Sequence, residues 1–193
     1  MSAVVISGTG VFTPKESISN EELVRSYNTW AEMWNAENSA AIASGSVEAK
    51  PLSSVEFIEK ASGIQSRFVM NKSGVLDPTI MAPVLPERSN DEPSLLCEMA
   101  INAAKEALAN AKCAPSEIDF LIAAASNFPR PYPALSVEIQ HYLGTSGYAF
   151  DMNVACSSAT FALKTAMDAL QAGTAKRVLI VNPEVLSLIH ISE

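Results

Sequence analysis

Basic residues are scarce in this sequence: 13 Lys and Arg stand against 21 Asp and Glu, for a formal net charge of −8. A nucleic-acid surface needs a positive stripe to meet phosphates, so the balance argues against nucleic acid as a partner. It leaves room for a local basic patch and an acidic substrate. Long apolar runs are missing too. No window reaches the roughly eighteen consecutive apolar residues that a membrane-spanning helix needs. Met1 to Gly10 lacks the basic n-region and small-residue cleavage site of a signal peptide. A cytoplasmic protein without a membrane span is the expectation. Cysteine is limited to Cys97, Cys113 and Cys156, an odd number without metal-ligand spacing. Without an export signal these are expected to be reduced thiols, one of which can be reactive.

What is present is ordinary globular composition. The 193 residues are 48% hydrophobic and 18% charged, enough chain for a domain with a sizeable core and too aliphatic for disorder. Ala3 to Ser7 is a short apolar run closed by Gly8 and Gly10, and reads as a buried first strand. Asn20, Glu21 and Glu22 read as the start of a helix running to about Trp34. Trp30 and Trp34, four apart, share one helix face and read as packing residues, with a role at the mouth of a binding site as the alternative. A small, polar stretch over 38–54 predicts a loop or short helix, and 54–61 a helix ended by Gly63. Between Asn71 and Pro93 four prolines fall among few apolar repeats. A loop of that length reads as a lid or mouth segment, or as a disordered insertion.

From residue 94 the pattern is regular. Leu96, Met99, Ala100, Ala103, Ala107 and Ala111 recur at helical spacing, and Pro115 stops that helix. Phe120 to Ala125 is a continuous apolar run, the mark of a strand covered on both faces. Leu135 to Leu143 is an amphipathic helix closed by Gly144. Phe150 to Ala155 reads as a strand, 157–171 as a helix ended by Gly173, and Arg177 to Val181 as a last strand. Strands alternating with helices predict an α/β fold with a mostly parallel sheet and helices on both faces.

The stretch Phe150-Asp151-Met152-Asn153-Val154-Ala155-Cys156-Ser157-Ser158-Ala159-Thr160 carries the chemistry. It places Cys156 where a strand ends and a helix begins. A sharp strand-to-helix turn holds a side chain clear of the sheet. The positive end of the helix favours a thiolate, and N–H groups of the first turn can meet an oxyanion. The helix from Ala159 to Ala172 has Lys164 and Asp168 as its only charges, which predicts a buried central helix and little water at Cys156. From position alone, two readings stand: an inert small hydrophobe, or a nucleophile. Cys97 and Cys113, in and just past a helix, read as packing residues. His141 and His190 read as surface residues.

Several motifs, taken in order, carry a resemblance. Gly8-Thr9-Gly10 with Pro14, Ser62-Gly63-Ile64 followed by Arg67, Tyr132-Pro133, Glu138-Ile139-Gln140, Leu143-Gly144, and Asp151 to Ser158 together resemble β-ketoacyl-acyl-carrier-protein synthase III of the thiolase superfamily, over nearly the whole chain to about Val185. The resemblance implies a thiolase-like fold, in its N-terminal half, and a homodimer. It implies an enzyme that loads an acyl group from acyl-coenzyme A onto Cys156. Decarboxylative condensation with malonyl-acyl-carrier protein follows, with no cofactor beyond these substrates. Phe57 matches an aromatic near the coenzyme A adenine, and Tyr132 one that reaches the partner subunit's acyl pocket. Ala61 stands where the family often has an arginine, and the 35–51 and 71–90 stretches look longer than usual, which points to a divergent subgroup.

The family's catalytic His and Asn belong to a second half that this sequence does not contain. The expected organisation is therefore one domain over 1–185 and a non-native tail over 186–193, with the isolated chain poorly soluble and inactive. The rival readings are a hydroxymethylglutaryl-coenzyme A synthase-like or secondary-metabolite condensing enzyme and, in another class, a non-catalytic dimerising fragment.

Overall fold

A computed structural model describes residues 3–89 and 91–185. The tail expected over 186–193, with His190, lies outside the described residues. The chain divides into two compact units, one over residues 13–87 and the other over 3–12 with 88–185.

The 13–87 unit opens with a two-stranded antiparallel ribbon that the sequence pattern does not predict: β1 (Glu16–Ser19) pairs with β2 (Ser66–Val69), with three helices between them in the chain. Two four-residue strands from distant parts of the chain leave too short an alternation to read. Helix α1 (Asn20–Glu37) begins in a full capping box, Ser19 accepting from the Glu22 N–H and Glu22 from that of Ser19. It extends three residues past Trp34. Trp30 packs on Tyr27 at 5.5 Å between ring centroids, and the Lys50 ammonium sits 5.1 Å over the Trp34 ring.

Two asparagines on α1, seven residues apart, hold the segment that returns along it. Asn28 donates to the Ser53 carbonyl at 3.0 Å and accepts its N–H at 2.8 Å. Asn35 does the same to Lys50, at 2.9 and 2.8 Å. After the short α2 (Ser39–Ala43), α3 (Val55–Ser62) ends where expected, at Gly63 in the left-handed conformation with φ 72°. The stretch after β2 contains a further turn of helix, α4 (Ser73–Leu76). Asn71 Oδ1 accepts from the N–H groups of Gly74 and Val84, so 71–84 is tied together rather than structureless.

In the other unit α5 (Leu95–Ala111) starts at a Ser94 cap, and Lys112 closes it with φ 51°. Strand β3 (Phe120–Ala124) is buried at every residue, as its unbroken apolar run predicts. Helix α6 (Leu135–Leu143), strand β4 (Tyr148–Met152), helix α7 (Ser158–Ala172) and strand β5 (Val178–Val181) follow. The sheet is parallel in the order β4-β3-β5. β3 alternates its faces: Leu121 and Ala123 pack in a core with α5 and α6 residues, while Phe120, Ile122 and Ala124 pack with Ala162 and Ala166 of α7. Helices therefore cover both faces, as the alternating pattern implied.

Two expectations are corrected here. Residues 3–12 do not form a buried strand: Val5 and Ile6 are exposed and pair with no strand among the described residues. The segment lies on α5 instead, because Gly8 and Gly10 allow close approach. A Cβ on either would run into the carbonyls of Ala107 and Ala103. The second concerns α7, which is not buried all round. Ser158, Ala162 and Ala166, each four apart, make one buried stripe, while Phe161, Leu163 and Met167 are exposed. A sheet covers only the helix face turned to it, so an apolar composition alone does not bury the rest. Among the described residues no helix is long and apolar enough to cross a membrane.

Candidate active site

Cys156 sits between β4 and α7, at the elbow expected, and is exposed. The other two thiols are less suited to attack. Burial, with the neighbouring Glu138 carboxylate second, pushes the Cys97 thiol up to about 12, where it stays protonated. Burial and then Glu117 raise Cys113 above the usual thiol value.

The elbow is held by the side chains of Asn153 and Ser158. Ala155, immediately before the cysteine, has φ 48°. That left-handed conformation costs a residue with a Cβ roughly 1 kcal/mol or more, so the surroundings must impose it. Asn153 Oδ1 accepts the Ala155 N–H at 3.1 Å, while its Nδ2 donates to the Ser126 carbonyl at 3.1 Å. The Ser158 hydroxyl is buried, accepts the Val154 N–H at 2.9 Å and donates to the Ala155 carbonyl at 2.7 Å. Ser126 is in turn bound through its N–H and hydroxyl to the Glu184 carboxylate, and Asn182 donates to the Ala124 carbonyl. The loop after β3 is thus fixed from two directions before it fixes the elbow.

Asp151 does a different task. Its two carboxylate oxygens accept the N–H groups of Leu135 and Ser136, at 2.8 and 2.7 Å. Ala134 gives α6 no side-chain cap, so a carboxylate from β4 supplies one and joins the strand to the helix. Replacing Asp151 with Ala is expected to cost about 1–2 kcal/mol in urea unfolding, and Asn about half of that. An unchanged urea midpoint for the Ala variant would show that the cap contributes nothing.

The first turn of α7 offers fewer free donors than the sequence implied. The Ser157 and Ser158 N–H groups are taken by the carbonyls of Val154 and Ala155. Those of Cys156, Ala159 and Thr160 have no hydrogen-bond partner among the described residues, and remain for an incoming oxyanion.

Tyr132 is 87% exposed, in the loop before α6. Phe57 is 66% exposed on α3, in the 13–87 unit. His141 is a surface residue on α6, edge-on to Tyr142, as expected. Hollows of about 710 and 920 Å³ in the sheet-bearing unit are lined by none of Cys156, Tyr132 or Phe57. The elbow's supports Ser126, Asn182 and Glu184 were missed by sequence reasoning. Nothing local marks them, since they meet only once β3 and β5 pair.

Comparison with known proteins agrees with this geometry. A family described as 3-oxoacyl-[acyl-carrier-protein (ACP)] synthase III matches residues 150–191, the stretch that holds the elbow. The beta-ketodecanoyl-[acyl-carrier-protein] synthase of Pseudomonas aeruginosa is 56% identical over 162 residues, 84% of this chain and 46% of that protein. The chain matches the N-terminal half of the β-ketoacyl-acyl-carrier-protein synthase III family. The synthase III of Bartonella henselae is 30% identical over 186 residues, 96% of this chain and 44% of that protein. Among solved structures, the synthase III of Aquifex aeolicus VF5 superposes with a TM-score of 0.65 at 27% identity, covering 94% of this chain and 45% of that one. The priming beta-ketosynthase of the R1128 polyketide pathway gives 0.68 at 26%, covering 97% and 44%. The fold is thus thiolase-like, and the chain spans about half the length of the curated relatives it matches.

Proposed function

We propose that this chain carries the acyl-accepting half of a condensing enzyme of fatty-acid synthesis type. The supporting observation is an exposed cysteine on a held elbow, with unpaired N–H groups at the start of the following helix. The Cys156 thiolate attacks the thioester carbonyl of an acyl-coenzyme A, the oxyanion rests against backbone N–H groups, and the coenzyme A thiolate leaves. A malonyl group on acyl carrier protein then loses carbon dioxide, and its carbanion attacks the acyl-cysteine. A carbon–carbon bond forms and the thiolate is released.

The name of the Pseudomonas relative narrows the substrate. A ten-carbon 3-oxoacyl product built by adding two malonyl-derived carbons requires an eight-carbon primer, so octanoyl-coenzyme A is the donor class we assign to this chain. Phe57, exposed on α3, is assigned to the adenine, and Tyr132 to the acyl pocket of a second subunit. A homodimer is supported by the apolar side chains exposed on α7 and by β4, whose Tyr148 and Phe150 stand at an outer edge of the sheet.

Intact-protein mass spectrometry after incubation with octanoyl- or acetyl-coenzyme A tests the reading. An octanoyl adduct located on Cys156, formed faster than the acetyl one, is the expected result. No adduct in a folded chain would overturn the acyl-transfer reading, and faster acetylation would overturn the chain-length assignment.

A further inference from the structure

We infer that Ser158 is a positioning residue for Cys156, acting by holding Ala155 in its left-handed conformation. The inference rests on Cys156 being the nucleophile of the proposed reaction, but the geometry behind it is independent of any substrate.

The argument starts from the strain. At φ 48° Ala155 is one of three non-glycine residues with positive φ among the described residues, and it directly precedes the cysteine. Such a conformation persists only where neighbouring contacts over-determine it, and strained backbone tends to gather where function requires a fixed geometry. The contacts here converge on one hydroxyl. Ser158 Oγ accepts the N–H of Val154, the residue before the strained position. It has a single proton to give, and the Ala155 carbonyl, at 2.7 Å, is the nearer acceptor; the Ala125 carbonyl lies at 3.3 Å. The same carbonyl also receives the Ser158 N–H at 3.1 Å. One residue at the first position of α7 therefore grips the two peptide units that flank the Val154–Ala155 peptide, the second of which leads into Cys156. Ser158 is 3% exposed, so water cannot readily replace its hydroxyl. Asn153, whose side chain holds the Ala155 N–H from the other side, is exposed and more easily replaced by solvent.

The Ser158→Ala variant removes the grip. The elbow then relaxes toward an ordinary backbone conformation, and the sulfur leaves the start of α7. Glycine adopts positive φ at little cost, so Ala155→Gly removes the reason the grip is needed. This gives a rescue that general destabilisation would not produce.

The readout is the rate at which iodoacetamide alkylates Cys156 in the 193-residue chain at neutral pH, located by peptide mass spectrometry. No acyl donor is involved, so failure of the acyl-transfer reading and failure of this inference are separate results. Ser158→Ala is expected to slow alkylation about tenfold, the effect of a single hydrogen bond's worth of misplacement. The double variant Ala155→Gly/Ser158→Ala is expected to return most of the parent rate. Cys97, buried at 0% exposure, serves as the folding gauge in every sample. Should Ser158→Ala expose it, the double variant decides: near-parent alkylation of Cys156 with Cys97 protected supports the inference, and slow alkylation overturns it. A parent rate in a folded Ser158→Ala chain, or a loss that glycine at 155 does not restore, also overturns it.

Discussion

Cys156→Ser should lose the acyl adduct altogether while the melting temperature stays where it was. An alcohol at this position presents the same shape to a thioester but is a far weaker nucleophile than a thiol, and among the described residues no base is hydrogen-bonded to it. Because Cys156 is exposed and accepts or donates no side-chain hydrogen bond among the described residues, its replacement has little to disturb, and the stability change is expected to stay within about 0.5 kcal/mol. Intact mass after exposure to octanoyl-coenzyme A, paired with thermal unfolding, checks both halves. An adduct that persists in the serine variant and maps to Cys113 would transfer the nucleophile's role to that thiol. Its raised protonation range and partial burial make that outcome unexpected.

The second large effect concerns packing. Phe120→Ala is expected to cost about 3–5 kcal/mol and to lower the melting temperature of the sheet-bearing unit by about 15–20 °C. Phe120 is 1% exposed and stacks on Tyr148 at 4.2 Å between centroids, with Phe150 at 5.4 Å. It is the large side chain that joins β3 to the outer strand β4 on the α7 face. The small alanines Ala162, Ala166 and Ala175 around it cannot close the hole that truncation leaves. Since β4 delivers the chain to the elbow, the variant is also expected to alter Cys156 alkylation even at temperatures where the unit remains folded. A melting temperature unchanged within a degree or two would mean that β4 is anchored mainly by its hydrogen bonds to β3.

The sequence was most legible where one physical requirement acts locally. The unbroken run Phe120-Leu121-Ile122-Ala123-Ala124 says that both faces are covered, and they are. Gly63, Gly144 and Gly173 each end a helix in the left-handed conformation, as glycine after an apolar repeat predicts. The cysteine elbow was legible because strand, turn and helix are consecutive. Legibility failed where partners are distant. The pairing of β1 and β2 joins residues some fifty apart, and neither strand is long enough to announce itself. Asp151 reads in sequence as part of the cysteine motif, yet its contacts serve α6, and only the fold reveals that Ala134 needs the help. Glu184 and Ser126, 58 residues apart, meet because β3 and β5 lie side by side. Composition misled for α7, where low charge was taken for full burial. For Ala3 to Ser7, apolarity alone does not bring a segment into the sheet.

The paired asparagines of α1 have a consequence for how this chain tolerates change. Asn28 and Asn35 each offer a donor and an acceptor to a main-chain N–H and C=O, which is what a neighbouring strand would offer. The helix thereby plays the part of a β-partner at two points two turns apart. Such recognition is blind to the side chains at Lys50 and Ser53 but counts the residues between them. Drift in the composition of this crossing segment is tolerated, whereas gaining or losing one residue between the two points would leave the clasps unable to close together. Spelling is free there, and length is not.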